Sequence, residues 1–171
     1  MNVLRSVFFL FLVLGVSVAQ TTTGSRTKTL PDLSGVWALD ESKSELDPRR
    51  VKQQDFVLTI VHKEPEIRLT KTYQQYGKQK TEESIYYTDG RPEFQSRTGN
   101  NSEPVTRWRG NKLVRKIVSA PFGAPSGNFP PVETTMTEEF EMSADGKTLT
   151  RTLTHSGTVM RKQRFVFTRV S

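Results

Sequence analysis

Five charged side chains interrupt faces that are otherwise apolar. Lys71 lies between Leu69 and Tyr73, and Glu83 precedes Ile85 on an alternating run. Arg115 lies between Leu113 and Ile117, Glu138 between Met136 and Phe140, and Arg151 between Leu149 and Leu153. If these faces point inward, the interior is polar and carries both signs of charge. A buried charge is costly unless it is paired, hydrated or held by a ligand. With Tyr73 and Tyr87, the set Lys71, Tyr73, Glu83, Tyr87, Arg115, Glu138 and Arg151 forms a candidate ligand-binding lining. Such a lining suits a small anionic or amphipathic molecule. The alternatives are internal salt bridges, or reversed faces on which these groups meet water. Glu138 and Arg151 flank the Asp145-Gly146 turn dipeptide at nearly equal separations, so they can face each other across a hairpin.

Catalytic chemistry has less support. His62 and His155 stand alone, without the spacing that would bring imidazoles together on a metal. The chain has no cysteine, which removes thiol nucleophiles and thiolate ligands. No nucleophile elbow, phosphate loop or dinucleotide fingerprint is present. The sequence therefore predicts no metal, no cofactor and no enzyme activity.

The elements that must position the charged set are short strands. Phe56, Leu58, Ile60 and His62 share one face of a period-two run; Ile67, Leu69, Lys71 and Tyr73 share another. Further runs cover residues 81–88, 105–109, 113–119, 132–142, 148–155 and 159–170, with a short one at 93–98. Glu83, Ile85 and Tyr87 are taken as one face of the 81–88 run, against Glu82, Ser84 and Tyr86. Turn dipeptides Asp89-Gly90, Gly110-Asn111, Asp145-Gly146 and Ser156-Gly157 separate the runs. Residues 41–54 read as a polar connection with room for one helical turn. Residues 120–131, with four prolines and two glycines, read as irregular; Phe122 and Phe129 there suit either a lid over a barrel mouth or an outer connection. β-Branched and aromatic residues dominate the runs, and no helical period is sustained. The expectation is an all-β, antiparallel up-and-down barrel of about 8–10 strands.

The N-terminus reads as a removable leader. Arg5 supplies a basic start, residues 7–16 are apolar, and Ser17-Val18-Ala19 offers a small-residue cleavage site. The apolar run falls short of the roughly 18 residues that a spanning helix needs. The predicted organisation is a signal peptide at 1–19, a flexible segment at 20–32, and one barrel domain at 33–171. The mature protein would be secreted or periplasmic, with no stable membrane span. Losing the leader removes Arg5 and lowers the formal charge from +7 to +6. The basic residues mostly alternate with acids, so the excess reads as a solvated surface, and export argues against a nucleic-acid partner.

The stretch at 33–40 contains Gly35-Val36-Trp37, followed by Leu39, Ser42-Lys43 and Asp47. It resembles the opening strand of lipocalins and fatty-acid-binding proteins, whose barrels begin with Gly-x-Trp. The hairpin from Asp145 to Thr150, the basic last strand, and the Trp108-Arg109-Gly110-Asn111 run are also similar to lipocalin-like (calycin-type) barrels of small exported bacterial proteins. The resemblance implies barrel closure by Gly35 and Trp37, with Arg164 or Arg169 of the last strand covering the tryptophan. The chain departs from both families. It lacks the Arg-x-Tyr that holds a fatty-acid carboxylate, since Arg164 is followed by Phe165 and Val166, and it ends in a strand rather than a helix.

The functional expectation is an exported small-molecule-binding barrel. The alternative is an interaction or structural protein of the cell envelope, with an interior filled by side chains and a protein partner rather than a ligand.

Overall fold

The computed structural model describes residues 29–91, 93, 104–119, 133–157 and 160–170. The leader at 1–19, most of the 20–32 segment, nearly all of the 93–98 run and the whole 120–131 loop lie outside these residues.

Nine strands form a single antiparallel sheet. They are β1 (Gly35–Leu39), β2 (Gln54–Lys63), β3 (Glu66–Gln75), β4 (Lys78–Tyr87), β5 (Val105–Arg109), β6 (Lys112–Ser119), β7 (Thr134–Met142), β8 (Thr148–Ser156) and β9 (Arg161–Arg169). Their order in the sheet is β4-β3-β2-β1-β9-β8-β7-β6-β5. Every neighbour except the β1–β9 pair is also a neighbour in sequence, which is the up-and-down arrangement expected from tight turns. The sheet is curled into a half-barrel whose two edge strands, β4 and β5, approach each other at one end through a bridge between Asp89 and Arg107. Gly90 fits this seam because a Cβ there would lie 2.8 Å from the Arg107 guanidinium.

The predicted alternation sets the inner face of most strands. Phe56, Leu58, Ile60, Ile67, Leu69, Tyr73, Leu113, Phe140, Leu149, Phe165 and Phe167 are buried together. Burying a large apolar side chain stabilises by about 1.5–3 kcal/mol, so this face supplies most of the driving force. Phe56 stacks on Tyr73 with ring centres 5.8 Å apart and meets Phe167 at 5.7 Å.

Trp37 belongs to the same buried core. It is fully buried, and its indole N–H donates to the Leu33 carbonyl at 3.1 Å. Gly35 opens β1 with φ +142°, a backbone region that side chains disfavour, which accounts for glycine two residues before the tryptophan. The arginine over the indole is Arg169, 4.2 Å from its ring. Arg169 also donates to the Gly146 and Ser34 carbonyls, each at 2.8 Å. Arg164 instead reaches outward to Glu45 at 3.0 Å.

The 41–54 connection contains one 3-10 turn, Glu41–Lys43, capped by the Asp40 carboxylate accepting from the Ser42 N–H. Residues beyond it continue alongside β9, where Glu45 bridges Arg164 and the Ser44 hydroxyl accepts from the Val166 N–H at 2.9 Å.

Candidate functional site

β3, β4, β6, β7 and β8 each send at least one polar or charged side chain into the interior, midway along the curl. At its centre is Glu138, with 1% of its side chain exposed. Arg151 Nε donates to its Oε1 at 2.5 Å. The Tyr86 hydroxyl donates to its Oε2 at 3.0 Å, and Arg115 Nη1 lies 3.7 Å from that same oxygen. Both carboxylate oxygens are therefore engaged by groups from three other strands.

Arg115 is 4% exposed. Its Nε donates to Glu93 Oε2 at 2.7 Å, and its guanidinium lies 4.5 Å over the Tyr86 ring. Glu93 is buried and also accepts from the Thr106 hydroxyl. Arg115 Nη2 is buried and has no hydrogen-bond partner among the described residues. A buried donor without a partner forfeits roughly 1–3 kcal/mol of desolvation.

Lys71 is half-buried on the inner face of β3, between buried Leu69 and Tyr73. Its cross-strand neighbour on β4 is Glu82. That carboxylate accepts from the Tyr73 hydroxyl at 2.6 Å. Among the described residues, no carboxylate lies within 4 Å of the Lys71 amine. Glu82 and Glu138, the two acids that act on it, are both claimed by other donors.

Electrostatics follow from this crowding. Burial first, and then the positive charge of Arg151, hold the Lys71 ammonium below its ordinary pKa, against the pull of Glu138 and Glu82. For Glu138, burial works to raise the pKa. Arg151, Lys71 and Arg115 together outweigh it and hold the carboxyl below its usual range. Burial, and then the Glu138 charge, push the Tyr86 phenol up, so it remains a hydrogen-bond donor. Lys71, Arg115 and Arg151 thus share the interior with the carboxylates of Glu82, Glu93 and Glu138 among the described residues.

Of the seven candidates, Lys71, Arg115, Glu138 and Arg151 converge in this interior cluster. Tyr73 lies two residues along β3 from Lys71 and donates to Glu82. Glu83 and Tyr87 do not join it: Glu83 is exposed and Tyr87 half-buried on the outer face, where Arg91 lies 4.7 Å over the Tyr87 ring. The inner face of β4 is the other set, Glu82, Ser84 and Tyr86. The reason is the hairpin. Tyr76 and Gly77 both have positive φ, so the loop is two residues long and Gln75 pairs with Lys78. This register puts Glu82 beside Lys71 and Tyr86 beside Ile67. A one-residue difference in register exchanges the faces of a strand. Glu138 and Arg151 are diagonal rather than directly opposite, because Glu138 pairs with Leu153 and Phe140 with Arg151.

Sequence reasoning missed Tyr86 and Glu93. The tight Tyr76-Gly77 turn, combined with the inward face of β3, was the signal for Tyr86. Glu93 lies outside the described strands and carries no periodic signal.

A second polar group lies near the seam. The Glu64 carboxylate accepts from Trp108 Nε1 at 2.6 Å, from the Thr88 hydroxyl, and from His62 Nε2 at 2.9 Å. The Leu33 N–H donates to His62 Nδ1 at 3.3 Å, so the imidazole carries its proton on Nε2. The His62 and Trp108 rings lie 5.8 Å apart. Glu64 therefore ties the β2–β3 turn to the end of β4 and to β5. Two open clefts, of about 620 and 510 Å³, lie elsewhere: one beside the start of β2 at Asp55 and Phe56, the other between Pro48 and Lys162. Among the described residues, no three His, Cys, Asp or Glu side chains are grouped to hold a metal ion, and no helix is long and apolar enough to cross a membrane. The chain matches no protein-family model and no curated protein.

Proposed function

We propose that this chain is an exported, lipocalin-like barrel that binds a small anionic amphiphile in its curled interior. The observation that carries the reading is Arg115 Nη2, which is buried and has no hydrogen-bond partner among the described residues. An acid group of a ligand would offer this nitrogen a charge-assisted acceptor. Release to the envelope or the exterior by cleavage after Ala19 belongs to the same proposal.

The second reading, an envelope structural or interaction protein, draws on the density of ion pairs around Glu138, which resembles a filled core. Native mass spectrometry of protein purified without denaturant separates the two. A reproducible small acidic mass released on unfolding supports binding. A bare mass together with a co-purifying protein partner supports the second reading.

A further inference from the structure

We propose that Lys71 is a reactive amine, able to form a reversible imine with an aldehyde or ketone group of a molecule held in the interior. This inference rests on the binding reading above and names a class of ligand for the same site.

Interior lysines are normally ion-paired, yet among the described residues no carboxylate lies within 4 Å of the Lys71 amine. The Glu138 oxygens accept from Arg151 and Tyr86, with Arg115 beside them. Glu82, directly across from Lys71 in the β3–β4 pair, accepts from Tyr73. The amine is left facing a cluster that already holds two guanidinium groups. Leu69 and Tyr73 flank it on β3 and Leu58 pairs with it on β2, so the β2 and β3 sides of its surroundings are apolar. Such surroundings favour the uncharged amine, the form that is nucleophilic, and the direction of the Lys71 pKa agrees. Lys71 is only half-buried, so a ligand can reach it.

In the step itself, the Nζ lone pair attacks the carbonyl carbon and a C–N bond forms. The nitrogen loses its protons as the carbonyl oxygen gains them and departs as water. The C=N bond that remains is reversed by adding that water back. No oxidant or cofactor is needed. The unpartnered Arg115 nitrogen suits a ligand with an acid or other acceptor group in addition to its carbonyl.

The test is reductive trapping on the intact wild-type protein with decanal and cyanoborohydride at neutral pH, followed by peptide mapping. Lys78 and Lys80, exposed on the neighbouring strand, are internal controls. The expected result is a decyl adduct at Lys71 in clear excess over that at Lys78 or Lys80. The same reaction in urea should lose that preference. Equal labelling of the three lysines, or none at Lys71, overturns the proposal. Decanoate binding measured on the same sample separates the two ideas. If decanoate binds and Lys71 is not trapped, the imine proposal alone fails; if neither occurs, both fail.

Discussion

Glu138→Gln should be the most damaging single-atom change in the molecule. It removes the negative charge between Arg151 at 2.5 Å and Arg115 at 3.7 Å while nearly preserving side-chain shape. Arg115 keeps Glu93. Arg151 keeps no carboxylate among the described residues, only the rings of Phe140 and Phe165 at 5.9 and 5.3 Å. Breaking a buried pair by removing one partner costs about 3–5 kcal/mol. Arg151 is 11% exposed, so water reaches part of it, and the lower end, about 3 kcal/mol, applies. With a urea dependence of about 2 kcal/mol per molar, the unfolding midpoint should fall by about 1.5 M at neutral pH, with an unchanged slope. Arg151→Met in the Glu138→Gln background should recover part of that loss, because it removes the stranded guanidinium. The assay is urea unfolding followed by circular dichroism across the four-member cycle. A midpoint loss below about 0.3 M, or strictly additive single effects, would refute the reasoning. It would mean that water, rather than Glu138, already satisfies Arg151.

Two further predictions concern closure of the curl. Arg169→Met removes two carbonyl hydrogen bonds and the contact over Trp37. It should destabilise by about 2–4 kcal/mol, whereas Arg164→Met, which loses only an exposed pair with Glu45, should cost at most about 1 kcal/mol in the same unfolding assay. Acid should weaken the fold through Glu138 and Glu64. Burial works to raise the Glu64 carboxyl, but donors from Thr88, His62 and Trp108 outweigh it and leave the pKa lowered. A depressed folded pKa means that the stabilisation is complete above the unfolded value of about 4.3 and is lost as pH falls through the folded values. Glu64→Gln should therefore flatten part of the acid limb of the stability profile and speed amide exchange at the ends of β4 and β5. An unchanged acid limb would show that the seam does not depend on the Glu64 charge.

Much of this arrangement is legible in the sequence because a strand's period is strict. Once Leu69 and Tyr73 are assigned inward, Lys71 must be inward too, and the same logic places Arg115, Glu138 and Arg151. β4 resists that logic because both of its faces contain a glutamate and a tyrosine, so hydropathy does not choose between them. Only the two-residue Tyr76-Gly77 turn does, by fixing the register against β3. Long-range partners were less accessible. Glu64 sits in a turn and looks like an ordinary solvent-exposed acid. Its role depends on Trp108, far along the chain, being brought back by the curl of the whole sheet. Glu93 depends likewise on the return of β6. Choosing Arg169 over Arg164 as the arginine beside Trp37 required the pairing of Trp37 with Arg169 in β1 and β9.

The central claim is that the interior accepts an anion. Calorimetric titration of decanoate and of its uncharged methyl ester into the mature protein tests it most directly, because the two differ only in the acid group that Arg115 Nη2 would receive. The account predicts that decanoate binds at one site and at least about ten-fold more tightly than the ester. Equal affinity for the two, or no binding by either, would contradict it.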